Sequence, residues 1–101
     1  MSTRATIEFK ADGESIFVYR HCDGFPDVII PDIEAAIEKA RGRWSEPEPG
    51  ILVTMFLAMH YDPDKSRLPD YWVSTGVAGD ESYLYRVVWD DEKEAWEVIT
   101  T

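Results

Sequence analysis

Tyr19-Arg20-His21-Cys22-Asp23-Gly24-Phe25-Pro26 places an imidazole, a thiol and a carboxylate at three consecutive positions and then turns the chain. Three kinds of site can be built from such a trio. A thiol within hydrogen-bond reach of an imidazole is a nucleophile with its base. An imidazole beside a carboxylate is an acid-base pair or two ligands of a metal. An aromatic ring and charged groups on a rigid turn form the sort of anchor that interfaces use.

Strand geometry and composition weigh on each. If a strand carries through the box, His21 and Asp23 share one face and Cys22 points to the other, because side chains alternate. Cys22 then reads as a small buried thiol without a base among its neighbours. The other imidazole, His60, lies at the far end of an apolar segment. With two His and one Cys in the chain and no CxxC or HExxH spacing, neither a zinc site nor any other cofactor is expected. Asp23-Gly24-Phe25-Pro26 is turn chemistry in its own right, with His21 placed to pin the turn. Asp62, Asp64 and Asp70 lack the Gly and terminal Glu of a calcium loop and read as a solvated loop. Gly76-Val77-Ala78-Gly79 lacks the Lys of a phosphate loop. Tyr83, Tyr85 and Trp89 have one cation between them, Arg86, in an acidic chain and read as helix-facing sheet, not a base-stacking platform.

These residues need a scaffold, and periodicity supplies one. Ala5, Ile7 and Phe9 alternate with Thr6, Glu8 and Lys10, which is a half-buried strand. Asp12-Gly13 can take positive φ, and Ser15 to His21 is a second β-rich run, so the pair predicts a hairpin. Pro31-Asp32 opens a helix in which Ile33, Ala36, Ile37 and Ala40 share a face, with Gly42 placed to end it. Ser45 with Glu48 has the form of a capping box. The Ile51 to Tyr61 run is apolar nearly all round, so periodicity does not separate helix from strand; Leu, Met and Ala favour helix. Tyr71 to Val77, Tyr83 to Trp89 and Ala95 to Ile99 read as strands. The order β-β-α-α-β-β-β predicts one α+β domain over residues 1–101, a largely antiparallel five-stranded sheet with two helices on one face.

Twenty acidic against ten basic side chains give a formal charge of -10. Such a field repels phosphate backbones and anionic membranes, so neither nucleic acid nor a membrane is an expected partner. Seven acids crowd the last quarter (Asp80, Glu81, Asp90, Asp91, Glu92, Glu94, Glu97) and form either a solvated face or a mimic of nucleic acid aimed at a DNA-binding partner. A lone cysteine, no signal-like start and no apolar run long enough to span a bilayer predict a soluble cytoplasmic protein.

The Met1-Ser2-Thr3-Arg4-Ala5-Thr6-Ile7 opening and the Tyr19 to Pro26 box resemble a family of small uncharacterised proteins of bacteria and their viruses. Its members begin Ser-Thr-Arg and carry an aromatic-x-His-x-Asp-Gly-aromatic-Pro box after a short hairpin. The Gly79 to Tyr85 stretch is similar to that family's later hairpin. The resemblance implies an organisation and a motif, with no activity attached. It also speaks against thiol chemistry at Cys22, since members often carry Trp or Ser there.

Three functions follow as expectations. The leading one is a small acidic domain that binds an unidentified protein partner without catalysis, through Tyr19, Arg20, His21, Asp23 and Phe25, with Arg4 beside them. The second is a hydrolase, acid-base or metal-assisted, with His21 and Asp23 as base and orienter, which needs His60 or another carboxylate near His21. The third is the nucleic-acid mimic. The sequence leaves the oligomeric state open.

Overall fold

The computed structural model describes residues 3–43, 47–64 and 68–101. Its elements are β1 (Ala5–Ala11), β2 (Glu14–Arg20), α1 (Pro26–Ala40), α2 (Pro49–His60), β3 (Trp72–Ser74), β4 (Tyr83–Asp90) and β5 (Ala95–Thr100). The fold is α+β, as the patterning predicts, and both helices lie in the middle of the chain. The sheet order is β3-β2-β1-β4-β5. All pairings are antiparallel except that of β1 with β4. That exception follows from the path of the chain: β3 adds to the outer edge of β2, residues 75–82 cross to the far side of β1, and β4 then runs alongside β1.

The first hairpin turns on Asp12 (φ 53) and Gly13 (φ 79). Two positive φ values in a two-residue loop are the primed geometry whose twist matches that of the flanking strands. Register places Ala5, Ile7 and Phe9 on the same side as Val18, Tyr85 and Val87. All six are fully buried, and they form the core with Ile29, Ile33 and Ala36 of α1 and Leu52, Val53 and Phe56 of α2. The helices therefore cover one face of the sheet, and Tyr83, Tyr85 and Trp89 lie on that helix-facing side.

Several boundaries differ from the sequence reading. β3, expected over Tyr71 to Val77, forms only at Trp72–Ser74, because the chain bends where the Ser74 hydroxyl donates to Gly76 O at 2.9 Å. α1 starts at Pro26, not Pro31, with Phe25 as N-cap and Asp27 in its first turn. Both prolines can open a helix, but only Pro26 is at N1, where a missing N–H costs nothing. Pro31 sits inside, because Ile29 extends the buried stripe of Ile33 and Ala36 one turn earlier. Gly42 (φ 75) does follow the end of α1. In α2 the segment expected as a helix is one, but Glu48 itself is the N-cap, its carboxylate accepting from Gly50 N at 3.4 Å. Ser45, expected to share a capping box with it, lies outside the described residues. α2 buries Pro49, Leu52, Val53 and Phe56 on one stripe, although its sequence is apolar nearly all round.

The β4–β5 turn has Asp90 Oδ1 accepting from Glu92 N and Lys93 N, and it closes on Glu94 at φ 51. A side chain in the left-handed region is strained. Replacing Glu94 with Gly is expected to raise stability by about 0.5–1 kcal/mol, read as a higher midpoint in urea with an unchanged slope. A lower midpoint would show that the Glu94 side chain does more than tolerate its turn.

Candidate functional site

Alternation within β2 divides the Tyr19 to Pro26 box. Tyr19 shares the uncovered face of the sheet with its register partners Thr6 and Trp72. Its ring lies 5.3 Å from that of Trp72 and 6.0 Å from that of His21, and its hydroxyl meets His21 Nδ1 at 3.2 Å. Partial burial, with the carboxylates of Asp80 and Glu81 nearby, holds the Tyr19 hydroxyl above its ordinary pKa, against the opposing pull of Arg4. The phenol stays protonated and remains a hydrogen-bond donor at neutral pH.

A clasp from the β3–β4 connection walls this corner. Glu81 accepts from the Thr6 hydroxyl at 2.6 Å and from the backbone N–H of Ala78 and Gly79. Arg4 pairs with Asp80 through Nη1. Ser82 N donates to Arg4 O at 3.0 Å. These bonds explain why Thr6 is fully buried although it faces away from the helices. Beyond the clasp the uncovered face continues through half-buried Phe17, Leu84 and Val88, crossed by the Glu8–Arg86 ion pair at 3.2 Å. The Ser15 hydroxyl, more than Arg86, lowers the Glu8 carboxyl below its usual range.

Arg20 and Phe25 turn to the other side. Arg20 Nε donates to Cys22 O at 2.6 Å, and its guanidinium stacks 4.8 Å from the Tyr71 ring centre. Phe25 packs edge-on against Tyr83 and stays 44% exposed. Neither joins Tyr19 in one patch, so the five residues expected together do not group. Tyr19 and His21 meet on the uncovered face, Arg20 and Phe25 turn to the other, and Asp23 lies in the turn between.

The strand does not carry through the box. β2 ends at Arg20, and Asp23 takes φ 57, so the expected shared face of His21 and Asp23 does not form. No hydrogen bond or ion pair joins His21 to Asp23 or to His60 among the described residues. Cys22 is exposed, which corrects its expected burial: once the chain leaves the sheet, alternation no longer turns it inward. Gly24 has a structural duty. Its N–H donates to Thr3 O at 2.8 Å, and its carbonyl accepts from the Tyr85 hydroxyl at 2.8 Å in the core.

A third grouping was missed by the sequence reading. The Tyr71 hydroxyl donates to Asp32 Oδ2 at 2.6 Å. His60 Nε2 lies 3.1 Å from Asp32 O and its Nδ1 3.9 Å from Asp32 Oδ1. Phe56 packs edge-on against both rings. Burial, then the Asp32 carboxylate, pushes the Tyr71 hydroxyl strongly upward. The network ties α1, α2 and the start of β3 together. No local signal announces it, since Asp32 lies 28 residues from His60 and 39 from Tyr71 in sequence.

At the other end of β4 a cavity of about 200 Å³ opens beside Trp89 and Trp96, and no box residue lines it. Among the described residues no group of three or more His, Cys, Asp or Glu is placed to hold a metal ion, and no helix is long and apolar enough to cross a membrane. Set against family models, curated proteins and solved structures, the chain matches none.

Proposed function

We propose that this chain is a small acidic binding domain without catalytic turnover, and that its contact surface is the uncovered sheet face at the Tyr19 corner. One observation carries this: Tyr19, Trp72 and His21 form a contiguous aromatic group on the face that no helix covers. Rings fixed on hydrogen-bonded strands lose little freedom on binding and so serve well as interface anchors. A net charge of -10 favours a protein surface over a phosphate-bearing one.

The alternatives draw less support. A hydrolase built on His21 and Asp23 would need the two joined, and Asp23 has turned away with its backbone. A nucleic-acid mimic would need a row of uncommitted carboxylates. Instead Asp80 pairs with Arg4, Glu81 and Asp90 bond backbone N–H groups, Asp91 accepts from Trp89 Nε1 and Glu97 pairs with Lys93.

Partners captured by the tagged protein from its own cells are expected to bind the Tyr19→Ser, His21→Ala double variant at least ~tenfold more weakly. Glu34→Ala, on the exposed side of α1, should bind like the parent. Equal retention by a double variant that still unfolds cooperatively would refute the assignment of this corner.

A further inference from the structure

We infer that two copies of this chain pair antiparallel along β5, joining their sheets into one continuous ten-stranded sheet centred on Val98. This goes beyond the binding role of the Tyr19 corner and does not depend on it.

The two edges of the sheet differ. β3 is a three-residue strand, short enough to be a poor template. β5 is six residues of Ala-Trp-Glu-Val-Ile-Thr, without Pro, Gly, Lys or Arg. Pro and Lys are the usual devices that protect an edge, and β5 keeps a single charge, Glu97. Which backbone groups face outward follows from the ladder. Leu84 and Thr101 exchange both hydrogen bonds, N to O in each direction. Antiparallel pairs alternate between bonded and non-bonded, so the register of β4 with β5 turns Ile99, Glu97 and Ala95 toward β4. Trp96, Val98 and Thr100 therefore direct their N–H and C=O groups away from the sheet.

Charge then selects the register. A two-fold axis at Val98 pairs Val98 with Val98 of the second copy and Trp96 with its Thr100. It also sets Glu97 opposite Ile99, whose side chain is 45% exposed in the monomer. An axis at Glu97 would oppose two carboxylates directly, which is destabilising. An axis at Ile99 would leave Trp96 outside the ladder. The Val98 axis uses every outward group of β5 and opposes no like charges. Pairing of this kind keeps side chains of opposed residues on one side, so both pairs of helices lie on one face and both Tyr19 corners on the other.

Sedimentation over a concentration series is expected to show a monomer–dimer equilibrium. Val98→Pro removes an N–H that β4 does not use, so the monomer should fold while dimerisation weakens roughly tenfold or more. Ile99→Lys brings an ammonium opposite the second copy's Glu97, and the dimer should hold or tighten. In a Cys22→Ser background, Val98→Cys should oxidise to a covalent dimer, since facing Cα atoms in a bonded pair lie ~5.5 Å apart, within disulfide reach. A monomer at every concentration overturns the inference, even one that takes up a strand from another protein. A dimer indifferent to Val98→Pro, or one that Ile99→Lys dissociates, overturns it equally. If Val98→Pro fails to fold, the lysine and cysteine variants decide.

Discussion

Gly24→Ala is expected to destabilise the protein by about 3 kcal/mol, a large fraction of the stability of a domain this size. A Cβ at position 24 would stand 2.7 Å from the Ala5 Cβ and 3.0 Å from both Ala5 N and Arg4 C. Two of those three atoms are backbone at the start of the central strand, which has no room to yield. The backbone of Gly24 is not in the left-handed region, so the requirement is for space and not for conformational freedom. Any outward shift also stretches the bonds to Thr3 O and from the Tyr85 hydroxyl, each worth about 1 kcal/mol. Chemical denaturation checks this, with Gly76→Ala as the comparison, since a Cβ there meets nothing within 4 Å. Equal midpoints for the two variants would show that the Asp23-Gly24 turn is not docked on β1 as described.

Raising the pH should unfold the protein through two buried phenols. Burial, with smaller contributions from Tyr83 and Asp27, pushes the Tyr85 hydroxyl up to about 12. Tyr71 is raised further, by burial and by the Asp32 carboxylate that accepts its proton. A group whose folded pKa is raised contributes stability that is complete below the unfolded value and is lost as pH rises toward the folded one. For a phenol the unfolded value is ~10, so the window runs from about pH 10 to about pH 12 for Tyr85. The loss there is on the order of 2–3 kcal/mol. Ultraviolet titration should show Tyr71 and Tyr85, both buried, ionising only with unfolding. Tyr85→Phe should be about 1 kcal/mol less stable at neutral pH, because Gly24 O loses its donor, and less sensitive to alkali. If Tyr71 and Tyr85 ionise while the fold persists, the burial of these two hydroxyls is wrong.

Both results bear on the box that stands out in the sequence. Asp23-Gly24-Phe25-Pro26 is a structural joint: a left-handed residue, a glycine pressed on β1, an N-cap and an N1 proline. Its turn chemistry was legible because each residue type has one strong local preference. Tyr19 and His21 meet on the uncovered face, whereas Arg20 is committed to Tyr71 and the Cys22 carbonyl.

Period and turn residues, with propensity deciding α2, determined which elements form. Alternation marked β1, β2 and β4, Asp12-Gly13 marked the hairpin, and the Ile33-Ala36 spacing marked α1, because each reports contacts within a few residues. The start of α1 needed the core, since only packing shows that Ile29 belongs to the buried stripe. Only the tertiary structure decided which side chains meet. Asp32 of α1, His60 of α2 and Tyr71 just before β3 join, Tyr19 finds Trp72 through strand register, and Arg20 parts from Tyr19 by alternation. The edge of β5 likewise exists only once the sheet order is set. Such contacts depend on how distant segments are brought together, and short-range patterning carries no record of that.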